Sequence, residues 1–261
     1  QVGKAFRNEI TPGNFIFRTI EFEQMEHQWF CKEGTDQEYY AEYKKRAWQF
    51  LLDLGFKEEH LRFHDHDKLA HYAKAACDIQ YDFPMGWSEL NGIHNRTDYD
   101  LSRHQEYSGK SMMYVDPVTQ ERYIPYVIEY SIGADRLMLA ALSEAYDEET
   151  LENGEVRNVM RFHPAIAAYK AAVLPLQKGL APQAKELLAK LKKHFLVTYD
   201  EAGSIGKRYR RQDEIGTPYC LTVDFDTLEN GTVTVRDRDT MEQVRMNADE
   251  VIAFLREKCA F

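Results

Sequence analysis

At 261 residues, with 44% apolar and 29% charged residues and a formal net charge of −10, the chain has the make-up of a globular protein with a substantial core. No run of about 18 apolar residues occurs, which excludes a membrane-spanning helix. The charge is unevenly shared, −12 over residues 1–160 and +2 over residues 161–261, a weak pointer to a polyanion partner for the C-terminal third.

In chain order, the opening Gln1-Val2-Gly3-Lys4-Ala5-Phe6-Arg7 has neither an initiator Met nor an apolar signal region, and reads as a start inside something longer. Val2–Glu9 and Asn14–Trp29 are strand-like and are joined by Pro12-Gly13 turn chemistry, which predicts a long antiparallel hairpin. Gln37–Leu54 has helical spacing, with Tyr40, Tyr43, Ala47, Phe50 and Leu51 on one face, and Leu69–Cys77 suggests another helix. Gly86–Ile93 reads as a strand entering a turn and Tyr123–Tyr130 as a central strand. Gly133 ends that strand, and Ala134–Tyr146 is a helix apolar almost all round, hence buried.

The acidic stretch Asp147–Gly154 reads as the approach to a linker, placing a domain border at 160/161. Beyond it strands alternate with helices: Ala171–Leu176, Ala181–Phe195, Leu196–Asp200, Tyr219–Phe225, Thr232–Arg238, Val244–Met246 and Ala248–Lys258. That order predicts a small α/β domain with a mixed or parallel sheet.

The hairpin carries the first chemistry. On a continuous strand Arg18, Phe22 and Glu26 share one face, at intervals of roughly 13 Å. Arg7 and Glu9 share a face on the partner strand. A cation, a ring and a carboxylate in that order suit an extended ligand with an anionic end, a flat ring and an ammonium; a face of solvated charges would look the same. Glu129-Tyr130-Ser131-Ile132-Gly133-Ala134-Asp135-Arg136 adds a strand that ends at a helix N-terminus, with Arg136 in the first turn. Backbone N–H groups there favour an anion, and a guanidinium adds a forked donor for phosphate. A structural ion pair is the plainer use of such an arginine.

These segments resemble motifs 2 and 3 of the class II aminoacyl-tRNA synthetases, in the wording of glycyl-tRNA synthetases. The resemblance rests on Phe6–Gly13, Glu21–Glu26, Gly86–Ile93 with Arg96–Leu101, Gly133–Arg136, Gly203–Pro218 and Thr232–Thr240, all in order over nearly the whole chain. It implies a fold of α/β class. A catalytic part with an antiparallel sheet of class II type would cover 1–160, and an α/β anticodon-binding domain with a mixed sheet would cover 161–261.

The resemblance implies a cytoplasmic glycine–tRNA ligase that uses ATP with Mg2+, glycine and tRNA(Gly), homodimeric at full length and free of any membrane. Arg7 would meet the α-phosphate, Phe22 the adenine ring, Glu9 the adenine edge, and Arg18 and Arg136 the β- and γ-phosphates. Asn8, Phe17, Glu21, Leu90, Gly133, Ala134 and Asp135 would complete the ATP site, with magnesium near Glu89. Glu26, Glu129 and Ser131 would grip the ammonium of glycine, with Phe22 and Gln24 beside it and Arg96 near the carboxylate. Lys207, Arg208, Arg210 and Arg211, a dense basic run around Tyr209, would meet the anticodon stem or loop, since phosphate neutralisation and base stacking favour that mixture. Adenylate formation needs positioning and charge stabilisation and no protein nucleophile, which agrees with the lack of a Ser/His/Asp or Cys/His constellation.

Two positions depart from the pattern, Ile20 where Arg is expected and Tyr130 where Pro is usual, and motif 1 would lie upstream of Gln1, so this chain alone is not expected to aminoacylate. Two other functions compete. One is a non-catalytic synthetase-like nucleic-acid-binding subunit of the polymerase accessory type, which the retained arginines and acids argue against. The other is a synthetase for threonine, proline or histidine. Cys31, Cys77, Cys220 and Cys259 form no C-x-x-C pair and read as free thiols. His64-Asp65-His66-Asp67 with His71 looks like a metal cluster but lacks convergent ligands, so a structural role is expected.

Overall fold

Two α/β units, Gln1–Ser143 and Glu144–Phe261, make up the computed structural model, which describes residues 1–261. The first contains β1 (Val2–Phe6), β2 (Glu21–Cys31), α1 (Asp36–Asp53), β3 (Leu61–Asp65), β4 (Ala75–Phe83), β5 (Gly86–Asn95), α2 (Tyr99–Ser108), the short pair β6 (Tyr114–Val115) and β7 (Arg122–Tyr123), β8 (Tyr126–Gly133) and α3 (Ala134–Ala145). Six strands form one sheet in the order β1-β2-β8-β5-β4-β3, antiparallel throughout. Its core face carries Ile79, Ile93, Ile128 and Ile132, which join Tyr40, Ala47 and Leu51 of α1 and Ala140 of α3 in one apolar cluster. The opposite face carries the polar residues of the candidate site.

Several expectations change here. Residues 7–20 are a loop rather than strand, closed by a Gly13–Arg18 bridge and turned through two consecutive left-handed residues, Asn14 (φ 55°) and Phe15 (φ 56°). Arg18 and Ile20 therefore do not share a strand face with Phe22. Residues 69–74 are turns and bends that lead into β4, since Ala75–Phe83 alternates at the period of a strand and buries both faces. The helix α3 is not buried all round, because Met138 and Leu142 are exposed.

The second unit opens with a hairpin, β9 (Tyr146–Thr150) and β10 (Val156–Met160), where the acidic stretch suggested a linker. It continues with β11 (Ala171–Pro175), α4 (Ala181–Leu191), β12 (Val197–Tyr199), α5 (Ile205–Glu214), β13 (Tyr219–Val223), α6 (Phe225–Asn230), β14 (Thr232–Asp237), β15 (Gln243–Asn247) and α7 (Val251–Lys258). The sheet order is β12-β11-β13-β14-β15, parallel across the first three strands and antiparallel across the last three. Alternate residues of β11 feed two cores: Ala171 and Val173 pack with Leu187, Leu191, Val251 and Leu255 of α4 and α7, while Ala172 and Leu174 pack with Ile205 and Tyr209 of α5. Both faces are covered, which is why Ala171–Pro175 and Tyr219–Val223 are buried at every position. The α/β class, with one antiparallel and one mixed sheet, is as expected.

Candidate functional site

A cleft opens where the 7–20 loop, β2, β5 and the β8–α3 junction meet. Arg7, Glu9, Ile16, Phe17, Arg18, Thr19, Phe22, Gln24, Glu89, Leu90, Ser131, Gly133, Asp135 and Arg136 line it. The chain reaches this arrangement by local devices. The turn at Asn14–Phe15 reverses the loop so that Arg18 and Gly13 bond each other's backbone and Phe17 is buried. Phe15 in the left-handed region costs about 1–3 kcal/mol, a strain found most often at ligand sites. On the other wall a β-bulge in the β4–β5 pairing sets Gln80 opposite Glu89 and leaves Leu90 unpaired, so Glu89 is re-aimed to the polar face.

The charges in the cleft are held loosely. Arg136 Nε donates to the Phe17 carbonyl at 3.1 Å, and its Nη1 donates to the Glu89 carbonyl at 3.1 Å and lies 3.3 Å from the Glu89 carboxylate. Its guanidinium also sits 4.2 Å from the centre of the Phe17 ring. Arg18 is 3.7 Å from Glu9, and Arg7 stands 5.5 Å from the centre of the Phe22 ring. Asp135 faces inward but accepts from the backbone N–H of Glu23 at 3.1 Å, tying α3 to β2. Three residues expected here lie outside the lining: Asn8 is exposed, Glu21 pairs with Lys4 at 3.1 Å, and Ala134 opens α3 between the lining residues Gly133 and Asp135.

Strand pairing assembles the second group. Glu26 of β2, Ser131 of β8 and Gly92 of β5 are successive cross-strand neighbours, and Gln28, Glu129 and His94 form the adjacent row. Glu129 is 8% exposed, with Oε2 3.0 Å from Arg96 and Oε1 3.2 Å from His94 Nδ1. Arg96 is turned back onto Glu129 by Thr97, whose left-handed backbone (φ 55°) is held by the Asn95 amide oxygen. The Arg96 guanidinium also binds Asp100 at 2.7 Å and stacks over Tyr72 at 4.3 Å. Burial weakens its charge, but hydrogen bonding to Asp100 and the Glu129 carboxylate more than compensate, so its pKa is raised. Ser131 and Gln24 line the arginine cleft, whereas Glu26 lines a neighbouring hollow with Gln1, Gly3 and Gln24.

His94 was missed in the sequence, although it lies two residues after Gly92 and two before Arg96, on the strand face that the site uses. Behind it, His66 is 2.8 Å from Asp78, whose carboxyl is pushed up chiefly by burial. His71 bonds the Tyr99 hydroxyl, and Asp65 bonds Lys44. No group of three or more His, Cys, Asp or Glu side chains is placed to hold a metal. Cys31, Cys77 and Cys220 are free and buried, and Cys259 is free and half-buried.

The basic run lies on helix α5, not in a loop. Arg208 is buried and donates to the carbonyls of Pro175 and Gly203, so it holds the domain together and is not open to a polyanion. Arg211 pairs with Asp200 at 2.5 Å and Arg210 stands 3.5 Å from Asp213, while Lys207 is exposed.

Comparison with known proteins accounts for both units. The family described as tRNA synthetase class II core domain (G, H, P, S and T) matches residues 1–145, and the anticodon binding domain family matches residues 170–258. The glycine–tRNA ligase of Clostridium kluyveri is 62% identical over 263 residues, covering all of this chain and 57% of that relative. The glycine–tRNA ligase of Clostridium perfringens is 61% identical and that of Geobacillus kaustophilus 60%, again over 57% of their lengths. The chain thus spans a little over half the length of these relatives.

Proposed function

From a chain that belongs to the class II tRNA synthetase core family and carries an anticodon-binding domain, we propose that the full-length polypeptide is a glycine–tRNA ligase, cytoplasmic and homodimeric. It would activate glycine with ATP and transfer it to the 3′ end of tRNA(Gly). The observation that carries this reading is the cleft lined by Arg7, Arg18, Arg136 and Phe22, beside the Glu26–Ser131 row.

ATP would lie with its ring on Phe22 and Glu9 at the adenine edge. Its α-phosphate would meet Arg7 and its outer phosphates Arg18 and Arg136, with Phe17, Leu90, Gly133 and Asp135 as walls. Asn8, Glu21 and Ala134, outside the lining, would act only through the backbone that carries them. Magnesium takes few protein carboxylates when it travels with a nucleotide, and the half-exposed Glu89 on the cleft wall fits that need. There the ion would neutralise phosphate charge.

Glycine would be held by its ammonium among Glu26, Glu129 and Ser131, flanked by Phe22 and Gln24. Arg96, fixed by Asp100, would set the local charge near the carboxylate. That carboxylate attacks the α-phosphorus in line, and pyrophosphate leaves as the bond to it breaks. Arg7 and Arg136 stabilise the charge that builds up on the phosphates. A terminal ribose hydroxyl of the tRNA then attacks the acyl carbon, and AMP leaves. In the anticodon-binding domain, Lys207, Arg210 and Arg211 would face the RNA. Full-length protein incubated with total tRNA and labelled glycine should charge tRNA(Gly); a folded protein that charges no tRNA with glycine would refute the reading.

A further inference from the structure

His94 stands on the polar face beside Glu129 and takes part in no step above, and its placement is unusual. A Cβ built on Gly92 would meet His94 Cε1 at 2.7 Å, Nε2 at 3.3 Å and Nδ1 at 3.5 Å, so the Cε1 end of the imidazole covers the Gly92 position. Gly92 is the cross-strand neighbour of Ser131, and Ser131 is the neighbour of Glu26. The ring therefore occupies the corner between Ser131 and Glu129 on the β5 side. Its own Nδ1 lies 3.2 Å from Glu129 Oε1, where a carboxylate can only accept. The ring is backed edge-on by His66 at 6.2 Å, itself fixed to Asp78, so it has support behind it.

We propose that His94 is a specificity-determining wall of the amino-acid pocket: its Cε1–Nε2 edge fills the space over Gly92 that a substituent on the substrate's Cα would need, while its Nδ1 orients Glu129. This rests on the glycine reading above. With the ammonium held among Glu26, Ser131 and Glu129 and the carboxylate directed along the strands to the arginines, the lateral direction toward β5 is the one the imidazole closes. A side chain as small as methyl meets the ring, and glycine does not. Exclusion by bulk gives discrimination of about 10–200-fold per methylene, without an editing site.

The two roles can be separated by substitution. His94→Asn keeps an amide nitrogen near the Nδ1 position, and with it the bond to Glu129, but deletes Cε1 and Nε2. His94→Ala deletes both functions. In ATP–pyrophosphate exchange by the full-length protein, His94→Asn should keep the glycine KM within about twofold and lower the glycine-to-alanine ratio of kcat/KM about tenfold or more. His94→Ala should lower the same ratio and also raise the glycine KM, with kcat less affected. An unchanged ratio in a folded His94→Asn enzyme that still uses glycine overturns the wall. Wild-type protein that is folded yet shows no glycine-dependent exchange overturns the glycine reading itself, so the two failures are distinct.

Discussion

Two arginine clusters sit in this chain, one in each unit, and they differ in what occupies their donors. In the second unit Arg157 and Arg236 converge on buried Asp213, with Arg236 at 2.8 and 3.1 Å and Arg157 at 3.3 Å. Arg157 also bonds Glu149 and the Arg238 carbonyl, while Arg238 binds Asp239, the Gly216 carbonyl and the Phe162 carbonyl. In the cleft of the first unit Arg7 and Arg18 are exposed, their nearest partners are a ring face and a carboxylate 3.7 Å away, and Arg136 donates to two carbonyls and lies 3.3 Å from the Glu89 carboxylate. The cluster of the second unit is closed and serves stability, while that of the first unit leaves forked donors open. An arginine in a sequence motif therefore says little until its donors are counted, as Arg208 shows.

The largest effect expected is on the open cluster. Arg136→Ala should lower ATP–pyrophosphate exchange by about a thousandfold, the scale of losing a transition-state charge partner, with the melting temperature shifted by only a few degrees. Unchanged activity would remove the distinction between the clusters. Next comes Asp213→Ala, which leaves Arg236 buried without its carboxylate and takes one of two from Arg157, and should cost about 3–5 kcal/mol of stability in denaturant unfolding. A loss under about 1 kcal/mol, the range of a surface ion pair, would mean that solvent reaches the closed cluster.

A smaller change tests the partly open helix α5. Replacing both Arg210 and Arg211 with Gln should weaken tRNA binding and reduce its salt dependence by roughly one to two counterions; an unaltered salt slope would move the RNA contact elsewhere.

The smallest effect is one of pH. The bond from Arg157, with the nearby charge of Arg161, holds the Glu149 carboxyl below its ordinary value of 4.5. A depressed carboxylate stabilises the fold above its unfolded pKa, and that contribution is lost as pH falls through the folded one. Glu149→Gln should therefore lower stability at neutral pH, where the variant lacks this contribution, and flatten the acid limb of the stability profile below about pH 5, where the two proteins converge. An identical acid limb would show that the Glu149–Arg157 bond contributes nothing.

The comparison also marks what the residues made legible. The second unit was read almost strand by strand, because β11, β13 and β14 are short apolar runs separated by clear helices. The omissions there are the β9–β10 hairpin, whose acidic residues read as a linker, and the short helices α5 and α6, of which α5 was hidden by its five-residue basic run. In the first unit the strand–Gly133–helix junction was readable, whereas the chain reverses at Asn14–Phe17 rather than at the Pro12-Gly13 turn. The length of β2 was not: Phe15–Ile20 alternates like a strand, but Asn14 and Phe15 adopt left-handed backbone and turn it into a loop. That loop nonetheless brings Arg18 to the cleft by a route other than strand parity. His94 and the bulge at Leu90 depend on the pairing of β4, β5 and β8, which no single stretch of residues reveals.

The central claim is that the open arginine cluster and the Glu26–Ser131–Glu129 group form one site for ATP and glycine. Its most direct test is ATP–pyrophosphate exchange by the full-length polypeptide with glycine, alanine and serine in turn. Exchange that depends on glycine and is at least tenfold weaker with alanine and serine, roughly the discrimination a bulk-excluding pocket provides, is the predicted result. A folded protein that shows no exchange with glycine would contradict the account.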